Sequence, residues 1–400
     1  MLSARCSINI GAACCARSAK RRRCLSTASA SDTAPAQGPY RILFFGADTF
    51  SCVTLDTLYR ERKDLIQHLV VVTPPDQRTG RRLKEIHRPP LRLLAETLEL
   101  PSIALPPTLL RDWSPPPEFL ASDSGAAPLA SSLLITASFG HLLPTSLLAR
   151  FHSLNTLNLH PSLLPKYRGA APIQWGIING DADLEGGMGV TIQELSRGKF
   201  DRGRILGQER VNIPRNSDFV TLEPILARAG GQLLSNILLD LPKYQLNAKP
   251  QDENLASSAP KLTKETSRID WSTMSAIDLT RRQRGVGHQY PLWTTIKAPA
   301  TTLSSPQQLQ LVLDPVPDTL LRSSLASNLP NPLVPGSLIH HSKQIFVATK
   351  STNSIQEDKD RIQVVKVEKV KKEGGKWVES KEWWNGIKRS IGTCGSVQLS

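Results

Sequence analysis

Residues 156–181 read TLNLHPSLLPKYRGAAPIQWGIINGD and carry the densest structural signal in the sequence. It begins as a short buried strand, and Pro161 ends the strand because proline cannot donate a hydrogen bond to a neighbouring strand. Asn158 and His160 are two residues apart, so their side chains point to the same side of that strand. Open α/β sheets bind ligands at the carboxyl ends of their strands. The stretch therefore predicts an amide and an imidazole at a ligand-binding edge of a sheet.

Other apolar runs along the chain predict the rest of this sheet. Strands are predicted at RILFF (41–45), LVVVT (69–73), LLITAS (133–138) and GVTIQEL (189–195), and helices at CVTLDTLYRERKDL (52–65) and PIQWGIIN (172–179). Helices that alternate with almost continuously apolar strands are typical of an α/β fold whose parallel sheet is covered on both faces. The turn after the first strand, GADTF (46–50), lacks the G-x-G-x-x-G pattern, so the sequence does not support NAD binding.

A polar stretch at 247–260 predicts a linker between two domains. It follows the α/β domain, which we place at 39–246, and precedes a smaller domain at 261–400, where short apolar runs and turn signals predict a β-barrel. Residues 111–132, rich in Pro, Ser and Ala, are expected to form a surface insertion or a mobile loop. No run approaches 18 uninterrupted apolar residues, which excludes a helical membrane span.

The formal net charge of +14 is concentrated at the two ends of the chain. Residues 1–40 carry six basic residues and one acidic residue, whereas 41–245 carry 22 against 20, and 246–400 carry 21 against 14. Such basic segments suit a targeting leader or a polyanionic partner. The leader, rich in Arg, Ala and Ser, predicts a mitochondrial presequence over 1–38, with a disordered basic tail as the alternative. Four of the six cysteines lie in it, and the other two predict neither a disulfide framework nor a zinc site.

A second polar motif, GKFDRGRIL (198–206), supplies a carboxylate. Asp201 lies between glycines, in a turn whose backbone can approach another loop. An amide, an imidazole and a carboxylate are the groups that acyl transfer to an amine requires. Asn158 and protonated His160 can hydrogen-bond a developing oxyanion, while Asp201 can orient His160 and relay a proton. Each residue type taken singly is more often a turn or core residue, so the hypothesis depends on their order and spacing.

Three segments resemble the folate-dependent formyltransferase family: RILFFGADTFS (41–51), LNLHPSLLPKYRGAAPIQWGIING (157–180) and FDRGRIL (200–206). The similarity extends over most of 41–245, and the N-x-H-x-S-L-L-P run with a downstream D-x-G-x-I-L is highly specific. One departure is Lys199-Phe200 ahead of Asp201, where a smaller residue is common in the family. The departure leaves the acidic residue in place and gives its loop a larger side chain.

The resemblance implies a Rossmann-like catalytic domain that uses 10-formyltetrahydrofolate as co-substrate, with no metal. It implies that the catalytic residues are Asn158, His160 and Asp201, and that the folate site is lined by Ser162, Leu163, Leu164 and Pro165. These roles are carried over from the family motif.

The loop TPPDQRTGRRLKEIHRPP (73–90) bears on the formyl acceptor. It resembles the loop that enters the acceptor stem in family members that formylate methionyl-tRNA, and Arg81, directly after Gly80, matches their critical arginine. The resemblance implies tRNA binding by Arg78, Arg81, Arg82 and Lys84. A solvated charged surface is the alternative. KLTKETSRIDWS (261–272) resembles the start of the second domain of these enzymes and implies an OB-like, tRNA-binding barrel. The net charge of +7 over residues 246–400 suits a phosphate-tracking surface.

These observations lead to one expected activity. We expect a monomeric enzyme of the mitochondrial matrix that transfers the formyl group of 10-formyltetrahydrofolate to initiator methionyl-tRNA, without contacting a membrane. Two alternatives stay open: a formyltransferase acting on a small amine such as glycinamide ribonucleotide or an amino-sugar nucleotide, and a catalytically inactive RNA-binding relative. The presence of Asn158, His160 and Asp201 together argues against the second alternative.

Overall fold

The computed structural model describes only part of the chain. The described residues are 38–79, 82, 84–106, 110, 113–121, 127–297, 307–314, 317–321, 334–350, 361–391 and 398–399. Residues 1–37 of the predicted leader, Arg81, and parts of 111–132 and 298–335 lie outside them. Along the described helices, none is both long enough and apolar enough to span a bilayer.

The first half of the chain folds around a seven-stranded sheet in the order β5-β2-β1-β6-β7-β8-β9. In chain order the strands, including a separate two-stranded hairpin of β3 and β4, are β1 (Tyr40–Phe45), β2 (Ile66–Thr73), β3 (Gln77–Thr79), β4 (Glu85–His87), β5 (Ser102–Ala104), β6 (Ser132–Ala137), β7 (Thr156–His160), β8 (Gly189–Glu194) and β9 (Ile205–Arg210). The four predicted strands before β8 are confirmed and run parallel. The strand predicted at 189–195 exists but runs antiparallel to β7, because apolar patterning identifies a strand and not its direction.

Helices cover both faces of this sheet, as the strand composition predicts. They are α1 (Thr49–Arg62), α2 (Pro90–Thr97), α3 (Thr145–Leu148), α4 (Pro172–Ile178), α5 (Phe219–Leu239) and α6 (Leu241–Leu246). Phe44 and Ile135 pack on the side of α1 and α5, whereas Phe45 and Leu134 pack on the other side with Phe139. Helix α1 begins three residues before the predicted position, because the Asp48 carboxylate accepts the Ser51 N–H at 3.1 Å and caps it.

The segment predicted as a linker packs against the α/β domain. The Arg168 N–H donates to the Ser257 carbonyl at 2.8 Å, and the Ala259 N–H donates to the Arg168 carbonyl at 2.7 Å. Ala259 is fully buried, and a side chain at Gly169 would lie 2.6 Å from its carbonyl oxygen. Residues 247–260 therefore form part of the support of the loop that follows β7.

The second half of the chain is built around an antiparallel sheet. Its elements are α7 (Ala276–Val286), β10 (Leu292–Lys297), β11 (Gln307–Leu313), β12 (Asp318–Leu321), β13 (Leu338–His341), β14 (Gln344–Ala348), β15 (Arg361–Lys372), β16 (Val378–Glu379), α8 (Ser380–Ile391) and β17 (Gln398–Leu399). The main path is β13-β14-β15-β11-β10-β17. The Leu399 N–H donates to the Gly336 carbonyl, two residues before β13, at 2.9 Å, so the two ends of the path meet. The predicted β-rich barrel domain is confirmed.

Candidate active site

The three polar residues singled out in the sequence meet in the structure. Asn158 and His160 lie on β7, and Asp201 lies in the loop between β8 and β9. Asp201 Oδ1 is 3.3 Å from Asn158 Nδ2 and 3.5 Å from His160 Nδ1. The imidazole is buried, with 4% of the residue exposed. An amide and an imidazole therefore face one oxygen atom of a carboxylate, at the carboxyl end of β7.

The position of the Asp201 carboxylate is fixed by two further donors. The Gly169 N–H donates to Oδ2 at 2.9 Å, and Gln193 Nε2 donates to Oδ1 at 3.0 Å. The Asp201 backbone has a left-handed φ of +53°, a conformation that costs energy for a residue with a side chain. Gln251 stabilises it, because its amide donates to the carbonyl oxygens of Asp201 and Gly203 at 2.9 Å each.

The hydrogen bonds of His160 and Asn158 determine which atoms face the carboxylate. His160 Nε2 lies 2.8 Å from the Tyr167 carbonyl oxygen, which can only accept, so Nε2 carries a hydrogen. Nδ1 is then the ring nitrogen that faces Asp201. The Thr136 hydroxyl donates to Asn158 Oδ1 at 2.7 Å, which turns the Asn158 NH₂ group towards Asp201.

A cavity of about 410 Å³ opens over these residues, a size usual for small-ligand sites. Asn158, His160 and Asp201 form part of its wall. Its apolar wall includes Phe50, Phe139, Leu143, Ile173 and Phe219. The cavity can therefore hold flat or apolar groups beside the polar cluster.

Two carboxyl groups, Asp48 and Glu223, lie on the same cavity wall. Burial raises the pKa of Asp48, although it accepts hydrogen bonds from Ser51 and Ser138. Burial and the nearby Asp48 charge raise the pKa of Glu223 to about 7. Behind them, burial and the same two carboxylates raise the pKa of the Cys52 thiol to about 12, which makes that thiol a poor nucleophile near neutral pH.

The loop Ser162–Pro165 is not brought to the wall of this cavity. Ser162 and Leu164 are buried, and the Ser162 hydroxyl donates to the Lys166 carbonyl at 2.6 Å. The Leu164 N–H donates to the Thr191 hydroxyl at 3.1 Å, and the Leu164 carbonyl accepts from Gln208 at 2.8 Å. These contacts hold the loop against the sheet, and the folate-lining role expected for Ser162, Leu163, Leu164 and Pro165 stays a prediction.

The predicted tRNA-binding residues lie on the β3–β4 hairpin. Arg78, on β3, and Arg82 and Lys84, between the two strands, are exposed, whereas Arg81 lies outside the described residues. Arg82 has a left-handed φ of +63°. Within the described part of the chain, none of Arg78, Arg82 and Lys84 forms an ion pair. These three cations are available to phosphates.

The described residues contain no group of three or more His, Cys, Asp or Glu side chains that could hold a metal ion.

Sequence reasoning missed several residues that build the site. Gln193 lies directly opposite Asn158 in the β7–β8 ladder, a position that could be recognised only once the pairing was known. Gln251 comes from the polar stretch predicted as a linker, where no pattern distinguishes it. Asp48 and Glu223 come from the starts of α1 and α5, which meet only in the folded protein.

The fold and this site together define an α/β enzyme whose chemistry takes place at the carboxyl ends of sheet strands. Residues 40–238 match the family model described as formyl transferase, and residues 261–388 match the one described as formyl transferase, C-terminal domain. The chain belongs to the formyl transferase family and is a formyl-transferring enzyme.

Methionyl-tRNA formyltransferases of other organisms are similar to this chain over more than half of its length. A methionyl-tRNA formyltransferase of Syntrophus aciditrophicus is 38% identical over 231 residues, which are 58% of this chain and 68% of that protein. The mitochondrial methionyl-tRNA formyltransferase of Bos taurus is 33% identical over 76% of this chain and 69% of its own length. Among solved structures, HypX from Aquifex aeolicus is similar with a TM-score of 0.47 and 16% identity, over 88% of this chain but about half of its own length, 48%.

Proposed function

We propose that this enzyme transfers the formyl group of 10-formyltetrahydrofolate to the α-amino group of initiator methionyl-tRNA. The observation that carries the proposal is the meeting of Asn158, His160 and Asp201 on the wall of one cavity. The names of its relatives support methionyl-tRNA as the acceptor. The match of residues 40–238 to the formyl transferase family, with the folate-dependent motif at 157–180, supports 10-formyltetrahydrofolate as the donor.

The proposed reaction begins with attack of the neutral α-amine on the formyl carbon. A carbon–nitrogen bond forms, and the formyl oxygen becomes an oxyanion. Asn158 Nδ2 and the Nδ1–H of protonated His160 are the donors for that oxyanion, because Nε2 is already bonded to the Tyr167 carbonyl. One such donor contributes about 2.7–4 kcal/mol to the stability of the transition state.

Asp201 then takes part in the proton transfers. The attacking amine must lose a proton, and the Asp201 carboxylate lies beside both groups that hold the oxyanion. Collapse of the intermediate breaks the bond between the formyl carbon and the folate nitrogen. That nitrogen receives a proton as tetrahydrofolate leaves, so the amine is acylated and the proton balance is kept. The Gly169 N–H and Gln193 keep Asp201 in place throughout.

Binding of the tRNA is proposed to use the β3–β4 hairpin and the barrel domain. Arg78, Arg82 and Lys84 are exposed cations, and the adjoining Arg81 matches the family motif. Residues 246–400 carry 21 basic residues against 14 acidic ones. Neutralising phosphates releases counterions, so such an interface is strongly dependent on salt.

We also propose that the enzyme acts in the mitochondrial matrix. The composition of residues 1–38 is that of an import presequence. The relative from Bos taurus is a mitochondrial protein by name. Import of the full chain into isolated mitochondria, followed by sequencing of the new N-terminus, tests this part of the proposal.

The activity is tested with purified enzyme, 10-formyltetrahydrofolate and three acceptors: methionyl-tRNA, glycinamide ribonucleotide and an amino-sugar nucleotide. We expect N-formylmethionyl-tRNA to form, and its rate to fall steeply between 50 and 200 mM salt. Asp56→Asn, which changes a carboxylate of α1 away from the cavity wall, serves as the control variant. Faster formylation of either small amine, with no salt dependence, would show that the acceptor is wrongly assigned.

A further inference from the structure

The loop between β8 and β9 carries an exposed aromatic ring immediately before Asp201. Phe200 has 56% of its surface exposed, although the next residue, Asp201, contacts Asn158 in the site. It lies on the wall of the 410 Å³ cavity and also on the wall of an adjoining groove of about 350 Å³. Gly169, whose N–H holds Asp201, is shared by the same two spaces. Phe200 thus lies at the junction between the proposed catalytic cavity and the groove.

Cationic residues flank Phe200 in the sequence. Arg197 and Lys199 precede it and are exposed, and within the described residues neither forms an ion pair. Arg202 follows Asp201 with 46% of its side chain exposed. Six consecutive positions therefore present an aromatic face and three positive charges beside the proposed catalytic carboxylate. Aromatic rings interleaved with cations are typical of surfaces that bind single-stranded RNA.

The groove can release a cation to an incoming phosphate. Glu253 accepts from Arg168 at 2.8 Å and from Arg202 at 2.9 Å, and 61% of the Glu253 side chain is exposed. An ion pair at such an exposed position contributes little stability, so Arg202 can exchange Glu253 for a phosphate at small cost. Arg168 stays in place, because Gln251 also accepts from it at 2.9 and 2.7 Å.

We propose that Phe200 stacks on the base of the 3′-terminal nucleotide of the acceptor tRNA, and that Lys199 and Arg202 bind the phosphates on the 5′ side of that nucleotide. This inference rests on the proposed function. The methionyl group is esterified to the ribose of that nucleotide. When the α-amine lies beside Asp201, the base of the same nucleotide is therefore separated from the Asp201 carboxylate by no more than the methionyl group and one ribose. Phe200 directly precedes Asp201 in the sequence and offers an exposed aromatic ring for that base. The groove beyond it then leads the sugar–phosphate chain past Arg202.

The stacking is tested by binding, with uncharged tRNA that ends in CCA and the same tRNA trimmed to end in CC. For the wild-type enzyme we expect the trimmed tRNA to bind about 5- to 100-fold more weakly, the loss of one stacked base. For Phe200→Ala we expect both tRNAs to bind with the weaker affinity, and for Phe200→Trp we expect the difference to return. Leu246→Ala, which removes a side chain exposed over 86% of its surface at the end of α6, is the matched control and should keep the wild-type difference.

Equal binding of the two tRNAs to the wild-type enzyme would overturn the inference. Steady-state kinetics distinguish stacking on the tRNA base from stacking on the donor ring: Phe200→Ala should raise KM for methionyl-tRNA and leave KM for 10-formyltetrahydrofolate unchanged, and the reverse result would also overturn it. Arg202→Gln should lower the slope of log affinity against log salt by about one, and Arg60→Gln, whose arginine is paired with Asp56 on α1, should not. If the wild-type enzyme fails to formylate methionyl-tRNA at all, the proposed function itself is wrong, a separate result.

Discussion

Gln193 lies directly opposite Asn158 in the β7–β8 ladder and donates its side-chain amide to the Asp201 carboxylate at 3.0 Å. Its carbonyl oxygen accepts from the Gly203 N–H at 3.2 Å. One buried side chain therefore fixes both the carboxylate and the turn that carries it. The rigid pairing of β7 with β8 therefore helps to fix the position of Asp201, a loop residue with a left-handed backbone.

We predict that Gln193→Ala lowers kcat about a hundredfold, because small displacements of a positioned group have effects of this size. The proposed role of Gln193 is to hold Asp201 through this hydrogen bond, so KM should change little. Steady-state kinetics with methionyl-tRNA measure both constants. Gln232→Ala, on the exposed side of α5, is the control and should be close to wild type. A rise in KM at unchanged kcat would mean that Gln193 binds a substrate directly.

The half-buried carboxyl group of Glu223 makes the free energy of unfolding depend on pH. Burial and the Asp48 charge raise its pKa from 4.5 to about 7 in the folded protein. Between these values the folded state binds more protons than the unfolded state, so this group's contribution to stability falls as pH rises from 4.5 to 7. Glu223→Gln should abolish that fall and exceed wild type at pH 8 by about 1 kcal/mol, a value reduced for solvent screening.

Urea unfolding at intervals across this pH range measures the effect of Glu223→Gln. Glu61→Gln, at an exposed position on α1, is the control and should leave the curve unchanged. Parallel curves for wild type and Glu223→Gln would show that the pKa of Glu223 is not raised in the folded protein.

Asp183 joins the two halves of the chain. It accepts from Arg284 at 2.9 Å and from Arg281 at 2.7 Å, and only 3% of the Arg284 side chain is exposed. Burial alone would raise the pKa of Asp183, but the hydrogen bonds and charges of the two arginines hold it below its ordinary value. Asp183→Ala leaves a buried guanidinium without its carboxylate and should cost about 3–5 kcal/mol.

Thermal unfolding of Asp183→Ala tests this junction. Asp56→Ala breaks the exposed pair with Arg60 in α1 and should cost less than about 1 kcal/mol. Equal losses for Asp183→Ala and Asp56→Ala would show that burial adds nothing to the junction.

The exposed cations of the β3–β4 hairpin should contribute to the salt dependence of kcat/KM for methionyl-tRNA. Arg78 and Arg82 are exposed and, among the described residues, have no carboxylate partner. Replacing both with Ala should lower the slope of log kcat/KM against log salt for methionyl-tRNA by about two, with a loss of affinity at low salt. Lys243→Ala on α6 provides a control for the loss of a charge elsewhere. An unchanged slope would remove the hairpin from the proposed tRNA interface.

Sequence patterns anticipated the parts of this protein that are local. The strand and proline at 156–161 predicted where Asn158 and His160 lie, since side-chain direction within a strand follows from spacing alone. The antiparallel direction of β8 was not predictable, because pairing partners are set by tertiary packing. Gln251 could not be anticipated either, since its contacts with Asp201 depend on how residues 247–260 fold back.

The folate-lining role of residues 162–165 was inferred from the family motif. A sequence motif does not specify which groups of a loop are exposed. In the structure the Leu164 backbone is held by Thr191 and Gln208, and the folate-lining role of the loop stays a prediction. The pairing of Asp48 with Glu223 could not be predicted from the sequence either, because it joins the starts of two helices that are distant in sequence and share one cavity wall.

Single-turnover formylation by Asp201→Asn tests the central proposal most directly. With enzyme in excess over methionyl-tRNA and saturating 10-formyltetrahydrofolate, wild type should form N-formylmethionyl-tRNA in one exponential phase. Asp201→Asn keeps the side-chain shape and removes the charge beside His160 Nδ1, so its rate constant should fall at least about a hundredfold, with tRNA affinity unchanged. A rate constant within a few-fold of wild type would contradict the role of this carboxylate in formyl transfer.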